Sequence, residues 1–245
     1  MLYKSGMTSI FQNDIKINTI CPNREVTIWY VRIPQIIESI FHRGSLPDTK
    51  QMRNRIFNKK NFKQSFLNRD EINTINGFKA LKKQMEWISG RYLIKLMIQY
   101  NFLQHLPLNQ ITISYLDEGA PFLTHNPDIP VSLSHSNNYT AAAYCKSRAK
   151  TIGIDIEKIA KKPDAWFLKT AFTQNEIIHL KDNAKSIFKN WTIKEAYLKQ
   201  IKKGFNESLH KVEVIDNEIW HNNIKINIEV YSTFIDDYVL SLVSD

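Results

Sequence analysis

The sequence has few cysteines and no long apolar run. Its two cysteines, Cys21 and Cys145, lie far apart in the 245-residue chain and form no metal-binding or redox motif. Free thiols of a cytosolic protein are the expected state of such residues. No apolar stretch approaches the roughly 20 residues of a membrane-spanning helix, and the first residues contain no apolar signal core. We therefore expect a cytoplasmic protein without a membrane partner.

Several common catalytic signatures are also absent. There is no phosphate-binding G-x-x-x-x-G-K-[ST] loop and no G-x-G-x-x-G dinucleotide fingerprint, so ATP-dependent and dehydrogenase chemistry lose support. Ser134 does not lie in a G-x-S-x-G turn, and no acidic pattern around His135 suggests a hydrolase triad. The chain therefore shows no activated nucleophile of its own.

The composition is that of a basic globular protein. Hydrophobic residues make up 43% of the chain and the formal net charge is +9. The length suits one large domain or two small ones with a real core. The charge indicates an anionic partner, for which nucleic acid, a phosphorylated cofactor and an acidic protein all fit, unless the basic surface is simply solvated.

The apolar pattern predicts a mixture of helices and strands. Residues 44–77 are polar and basic and predict loops around short elements. Apolar residues at spacings of three and four predict a long helix over 78–96 and further helices at 174–181 and 186–202. Strands are predicted at 111–115, 131–133, 141–145, 151–157, 211–216 and, with a break, 224–243.

The order of these segments indicates an internal duplication. Residues 66–72 resemble 171–177, and 87–95 parallel 191–199 at nearly the same offset. Chance similarity between amphipathic segments is the alternative. If the duplication is real, two similar halves pack together and the cleft between them is the natural place for a site.

We therefore predict an α+β fold of two pseudo-duplicated lobes. Each lobe would be a long helix packed on a small, mostly antiparallel sheet, with the active site in the cleft between lobes. The first lobe would span 1–149, with 1–60 poorly assigned, and the second 150–245.

Two acidic residues in the predicted strand 151–157 are candidates for a metal site. Side chains alternate along a strand, so Ile154 and Ile156 face one side while Asp155 and Glu157 face the other. Adjacent carboxylates repel each other unless a cation lies between them, and hard oxygen ligands suit Mg²⁺. Gly153 would let another backbone or a ligand approach closely. The alternative is two solvated acids on an exposed sheet face.

The predicted helix after residue 186 presents a glutamate among lysines. Glu195 and Lys199 are four residues apart and share a face. Such a glutamate can serve as a metal ligand or a general base, and the lysines can neutralise phosphate oxygens. An ordinary ion pair on a solvated helix is the alternative. His135, flanked by serines at a strand end, could hold a phosphate or be a structural histidine.

Taken together and in this order, the three segments resemble the 4'-phosphopantetheinyl transferase superfamily in its two-lobed, surfactin-synthetase-activating (Sfp) type. The motifs are S-H-S, G-I-D-I-E and W-x-x-K-E-A-x-x-K. They occur here at 134–136, 153–157 and 191–199. The resemblance covers about residues 65–215, and a two-lobed chain of this length could build the whole site as a monomer.

The resemblance implies a role for each matching residue in the second half. Asp155 and Glu157 would ligate Mg²⁺, and Glu195 would be a third ligand, the general base or both. Lys199 would act catalytically on the pyrophosphate of coenzyme A, with Lys194 contributing nearby.

The resemblance implies that the first half binds coenzyme A with a less complete set of the family's phosphate-binding residues. His135, flanked by Ser134, would contact its phosphates. Ala120 stands where the family has a phosphate-binding lysine in a G-K-P turn. The expected replacements are the basic residues of the first long helix, Lys82, Lys83 and Arg91.

The implied reaction transfers the 4'-phosphopantetheine arm of coenzyme A to a serine hydroxyl of an acidic apo carrier protein and releases adenosine 3',5'-bisphosphate. The nucleophile belongs to the partner, and a basic surface would attract an acidic carrier. The alternatives are a Mg²⁺-dependent enzyme that cleaves another pyrophosphate compound, a basic nucleic-acid-binding protein, and a family member that binds without catalysing. No known nucleic-acid-binding module is present, so we expect no nucleic-acid partner.

Overall fold

The computed structural model describes residues 6–12, 15–40 and 66–245 and has a mixed α and β architecture with antiparallel sheets. Its α-helices in these residues are α1 (Ile33–Ile40), α2 (Arg69–Gly77), α3 (Leu81–Asn101), α4 (Ala165–Ala171), α5 (Gln174–His179) and α6 (Ala184–Gln200). The strands are β1 (Gly6–Gln12), β2 (Ile15–Cys21), β3 (Val26–Arg32), β4 (Ile113–Tyr115), β5 (Pro121–Leu123), β6 (Val131–Ser136), β7 (Tyr139–Cys145), β8 (Ile152–Lys158), β9 (Val212–Ile215), β10 (Glu218–His221), β11 (Ile224–Ile226), β12 (Glu229–Ile235) and β13 (Tyr238–Ser244). Three short 3₁₀ turns lie at Leu108–Gln110, Gly204–Asn206 and Leu209–Lys211.

Two antiparallel sheets form the centre of the molecule. The larger has the order β1-β2-β3-β7-β6, and the smaller has the order β12-β13-β8. One face of the larger sheet packs on the smaller through a shared apolar core that includes Ile28, Ala141, Ile154 and Leu240. Strands β11-β10-β9 and β4-β5 form two further small sheets at the periphery.

A long helix covers the outer face of each central sheet. Helix α3 packs with α1 on the larger sheet, where Ile94, Met97 and Val31 are buried together. Helix α6 packs on the smaller sheet and on β9, where Ile193 and Val243 share a core. The apolar stripe of each helix therefore has a sheet to bury it, which explains why the 3.6-residue periodicity was visible in the sequence.

Each long helix is fixed by a buried lysine and a capped short helix. In the first half, Asn68 and Glu71 form a reciprocal capping box at the start of α2, and Lys95 Nζ donates to Glu71 Oε2 at 2.5 Å. We call Asn68, Glu71 and Lys95 the first brace. Such a box satisfies two helix-terminal N–H groups and defines where the helix begins.

The second half contains the same arrangement of a capping box and a buried lysine. Thr173 and Glu176 form a capping box at the start of α5, and Lys194 Nζ of α6 donates to Glu176 Oε2 at 2.6 Å. We call Thr173, Glu176 and Lys194 the second brace. Each lysine also donates to a backbone oxygen just before its short helix, of Phe66 or Ala171.

Several sequence predictions are confirmed and others are wrong. The long helices, the β6–β7 hairpin and strand β8 lie where they were predicted, within a few residues. Helix α2 is one of the short elements expected among the loops of 44–77, although its position was not predicted because its capping box was not recognised. The C-terminal region forms five strands rather than two. The predicted loops over 44–65 lie outside the described residues. Within the described ranges, no helix is long and apolar enough to cross a membrane.

Candidate active site

Strand β8 places the two predicted acidic residues on the face covered by α6. Ile154 and Ile156 point into the core shared by the two sheets. The other face of the strand is covered at Gly153, where a β-carbon would lie 1.9 Å from the backbone oxygen of Ala196. Gly153 is therefore required for the helix to approach the strand, and this approach places α6 next to Asp155.

Helix α6 contributes a lysine that contacts Asp155 directly. Lys199 Nζ donates to Asp155 Oδ1 at 2.7 Å and to Ser134 Oγ at 3.0 Å. Asp155 is 4% exposed, whereas the Lys199 side chain is 30% exposed. The ammonium group therefore lies at the boundary between the buried carboxylate and solvent, where a phosphate could reach it.

Two glutamates near Asp155 are held in unusual protonation equilibria. Burial, with the Asp155 charge as the second cause, raises the pKa of Glu195 to about 7. The same two causes, in the same order, raise the pKa of Glu157 to about 6. Lys199 opposes both shifts but does not cancel them. Repulsion among three carboxylates shows that they lie in one electrostatic environment.

The donor set fits a hard divalent cation in its chemistry. Asp155 Oδ2 and Glu195 Oε1 are buried and have no hydrogen-bond partner among the described residues. Unbonded carboxylate oxygens are the ligands that Mg²⁺ prefers, and leaving them unbonded is costly. As arranged here, no three histidine, cysteine, aspartate or glutamate side chains in the described ranges are grouped to hold a metal. Lys199 and Ser134 both hydrogen-bond to Asp155 Oδ1.

Residues from β6 and the start of α3 border these carboxylates. His135 Nδ1 lies 3.8 Å from Glu86 Oε2. Burial lowers the pKa of His135 despite the opposing Glu86 charge, so the ring is neutral at pH 7. Lys82 Nζ donates to Asn137 Oδ1 at 3.0 Å, in the turn after β6.

The comparisons with known proteins point to one family. Residues 151–243, which contain Asp155, Glu157, Glu195 and Lys199, match the model of the 4'-phosphopantetheinyl transferase superfamily. The 4'-phosphopantetheinyl transferase gsp of Aneurinibacillus migulanus is 28% identical over 181 residues, 70% of this chain and 73% of that protein. Over these residues, the chain is similar to the 4'-phosphopantetheinyl transferase superfamily.

Two further relatives are also named 4'-phosphopantetheinyl transferases. A 4'-phosphopantetheinyl transferase of Bacillus subtilis is 28% identical over 123 residues, which are 47% of this chain and 52% of the relative. The 4'-phosphopantetheinyl transferase Sfp of Bacillus subtilis strain 168 is 29% identical over 130 residues, or 51% and 55% of the two chains. The resemblance recognised from the motifs and the predicted enzyme class are both confirmed.

The structure corrects the role expected for Lys194 of this superfamily motif. Its side chain is fully buried, and Nζ donates to Glu176 Oε2 and to the backbone oxygens of Ala171 and Leu209. Three oxygens use the three protons of an ammonium group. Lys194 therefore has no donor left for a pyrophosphate, and it holds α6 in place instead.

Arg91 and Lys83 are also not gathered with the site as expected. The Arg91 guanidinium carbon lies 4.8 Å from the ring centres of both Trp87 and Tyr115, and the side chain is only 4% exposed. It is therefore closed to a phosphate in this arrangement. Lys83 is exposed and lies over the Phe78 ring. Of the three basic candidates on α3, only Lys82 contacts the turn beside His135.

Three residues near the site were not predicted from the sequence to have a role there: Glu86, Ser136 and Asn137. Ser136 Oγ donates to Glu157 Oε2 at 2.7 Å. Part of the signal was available, since serines at 132, 134 and 136 alternate and share one face of a strand, but the strand was predicted only over 131–133 and extends to Ser136 in the structure. Glu86 carried no such signal, because only the packing of α3 on β6 brings it to His135.

Proposed function

We propose that this protein transfers the 4'-phosphopantetheine arm of coenzyme A to a serine hydroxyl of an apo carrier protein, with release of adenosine 3',5'-bisphosphate. One observation carries the proposal. The buried, unbonded oxygens of Asp155 and Glu195 lie beside the partly exposed Lys199, in the segment that matches the family model. Such a site combines ligands for a hard cation with a counter-ion for phosphate.

Mg²⁺ would be held by Asp155, Glu157 and Glu195. When bound, it would neutralise negative charge on the pyrophosphate as the phosphorus–oxygen bond to the leaving group breaks. Lys199 would then exchange part of its contact with Asp155 for a pyrophosphate oxygen. This exchange is inexpensive, because the Lys199 side chain is already partly solvated.

Glu195 is the best placed general base. A base works best when its pKa is near the operating pH, and burial raises the pKa of Glu195 to about 7. The carboxylate oxygen of Glu195 that does not bind Mg²⁺ would take the proton of the carrier serine, directly or through water. His135, neutral and about one-third exposed, would offer a ring N–H to a phosphate of coenzyme A, with Ser134 and Lys82 nearby.

The partner would be an acidic carrier protein or carrier domain. The nucleophile is then supplied by the partner, consistent with the lack of a nucleophilic motif in this chain. A net charge of +9 favours encounter with an acidic partner. A monomer, a cytoplasmic location and the absence of nucleic-acid binding stay predictions.

We also propose that the two halves, 1–149 and 150–245, are duplicated lobes with the site in the cleft between them. The two braces support this, since each joins a capping box to a buried lysine of a long helix. They imply a different register from that predicted: Lys95 corresponds to Lys194 and not to Lys199.

The test is to incubate the protein with coenzyme A, Mg²⁺ and apo carrier proteins of fatty-acid, polyketide and peptide synthesis, and to weigh the carriers. We expect a gain of one phosphopantetheine arm on at least one carrier, dependent on Mg²⁺. No gain on any carrier would refute the proposal. Hydrolysis of coenzyme A without transfer would instead favour a Mg²⁺-dependent pyrophosphate-cleaving enzyme.

A further inference from the structure

Strands β6 and β8 lie side by side at the junction of the two central sheets and are joined through serine hydroxyls. The backbone N–H groups of Ile154, Ile156 and Lys158 donate to the Oγ atoms of Ser132, Ser134 and Ser136, at 3.0, 3.4 and 3.4 Å. We call Ser132, Ser134 and Ser136 the serine ladder. The ladder connects every second residue of one strand to every second residue of the other, which fixes their register.

Two of the three hydroxyls also donate to the proposed metal ligands. Ser134 Oγ donates to Asp155 Oδ1 at 2.8 Å, and Ser136 Oγ donates to Glu157 Oε2 at 2.7 Å. At Ser132, the corresponding position of β8 is Gly153, which has no side chain. Ser134 and Ser136 therefore each hydrogen-bond to a carboxylate as well as to a backbone N–H group, whereas Ser132 hydrogen-bonds to a backbone N–H group alone.

The hydrogen bonds around Ser136 leave Glu157 as the acceptor of its hydroxyl proton. Its oxygen accepts from Lys158 N–H and from Asn137 Nδ2, both at 3.4 Å. A hydroxyl has two acceptor lone pairs and one proton, so the proton is committed to Glu157. Asn137 in turn accepts from Lys82 at 3.0 Å. This chain of hydrogen bonds, from Lys82 through Asn137 and Ser136, links α3 in the first half to the carboxylate of Glu157 in the second.

We propose that Ser136 is a positioning residue that orients the Glu157 carboxylate for the metal ion. This inference rests on the proposed function. A glutamate has three rotatable bonds, and a short hydrogen bond to one oxygen restricts the orientation of the other. Partners that hydrogen-bond metal ligands are known to set metal affinity, and removing one typically weakens binding about 10–100-fold.

Ser132 provides a matched control. It lies on the same strand, is similarly buried and accepts the same kind of backbone N–H bond, but no hydrogen bond from it to a carboxylate is described. Ser134 is less suitable, because its oxygen also contacts Lys199 and its removal would disturb the phosphate counter-ion as well. Comparing Ser136 with Ser132 therefore separates orientation of a ligand from joining of two strands.

The experiment measures Mn²⁺ binding to the full-length wild-type protein, Ser136→Ala, Ser132→Ala and Ser136→Thr, by the electron paramagnetic resonance signal of free Mn²⁺. We expect Ser136→Ala to weaken binding about 10-fold or more, Ser132→Ala to change it less than about 2-fold, and Ser136→Thr to restore it. Thermal unfolding should show both alanine variants destabilised, because each leaves one β8 N–H without its acceptor. The Mg²⁺ concentration for half-maximal transfer should shift only in Ser136→Ala.

Failure of this inference and of the proposed function would look different. Equal Mn²⁺ affinity of Ser136→Ala and Ser132→Ala, with measurable wild-type binding, would overturn the role of Ser136 and leave the metal assignment intact. Persistent weak binding by Ser136→Thr would also overturn it, since a hydroxyl would then be insufficient. Absence of Mn²⁺ binding by the wild-type protein would overturn the metal assignment and this inference together.

Discussion

The first and second braces share one design but differ in how completely they are bonded. In the second, Glu176 Oε2 accepts from Lys194 and from the Thr173 backbone, and Oε1 accepts from the Val214 backbone at 2.8 Å. In the first, Glu71 Oε1 has no hydrogen-bond partner among the described residues. It faces Arg91 Nε at 3.7 Å, which is too long for a hydrogen bond.

The two long helices also differ in the residues that come after the buried lysine. One and five residues after Lys194 are Glu195 and Lys199, which border Asp155. At the same distances after Lys95 are Leu96, which is buried, and Tyr100, which is exposed. At these matching positions, α6 carries the proposed catalytic residues, whereas α3 carries residues that have no proposed chemical role. Identical supporting geometry does not make a site; the residues placed upon it do.

The largest expected effect is on catalysis, and it tests the difference between Glu195 of α6 and Leu96 at the matching position of α3. Glu195→Gln keeps the size of the side chain but removes its negative charge and its ability to accept a proton. We expect the rate of carrier modification to fall by about 10²–10⁴-fold, as for loss of a general base, while the protein stays folded. Mass spectrometry of the carrier over time measures the rate. Leu96→Met, a change of similar volume at the matching position of α3, should alter it less than about 3-fold. A Glu195→Gln rate near that of wild type would refute the assignment.

The next effect compares the two braces in stability. Lys194→Met leaves the fully buried Glu176 without its charge partner, and breaking such a pair destabilises by about 3–5 kcal/mol. Lys95→Met should lower the free energy of unfolding by less, because Arg91 remains beside Glu71. Urea denaturation of both variants at pH 7 measures the difference. Equal losses would mean that Arg91 does not compensate, and a larger loss for Lys95→Met would contradict the comparison.

The candidate site residues of the second half were easier to recognise in the sequence than the residues that support them. Asp155 and Glu157 were recognisable because a strand period of two places alternate residues on one face. Lys194 was misassigned, because it stands in the same motif as Glu195 and Lys199 and only tertiary packing shows that its ammonium group is buried. Both capping boxes were readable, since Asn68 and Thr173 each precede a glutamate by three residues.

The first half was less predictable for a physical reason. Arg91 was expected to bind phosphate because its charge was visible. Of the two rings that enclose it, Trp87 lies one turn earlier on the same helix, whereas Tyr115 comes from β4 and is brought there only by tertiary packing. The packing of β6 beside β8 was also hidden, because its hydrogen bonds run through side-chain hydroxyls and not through a regular backbone ladder. Contacts between segments distant in sequence have no local pattern.

A third prediction compares the closest helix–sheet approaches in the two halves. A β-carbon at Gly153 would meet backbone at 1.9 Å, whereas one at Gly90 of α3 would meet the Leu133 side chain at 3.1 Å. Backbone cannot yield as a flexible side chain can, so Gly153→Ala should destabilise by about 3 kcal/mol, at the upper end of overpacking. Gly90→Ala should change stability by less than about 1 kcal/mol, since helix propensity favours alanine. Thermal unfolding distinguishes them, and similar midpoints would show that α6 can move away from β8.

The smallest expected effect concerns pH. Burial raises the pKa of Glu195 to about 7 in the folded protein, against about 4.3 in the unfolded chain. Between these values the folded state binds more protons, so stability falls as pH rises from about 4.3 to 7 and is then constant. Glu195→Gln has no such titration and should therefore become more stable than the metal-free wild type above pH 7. Urea midpoints from pH 4.5 to 8.5 measure this. A constant difference between the two proteins across that range would show that Glu195 titrates normally, and would remove the argument for it as a base poised near neutral pH.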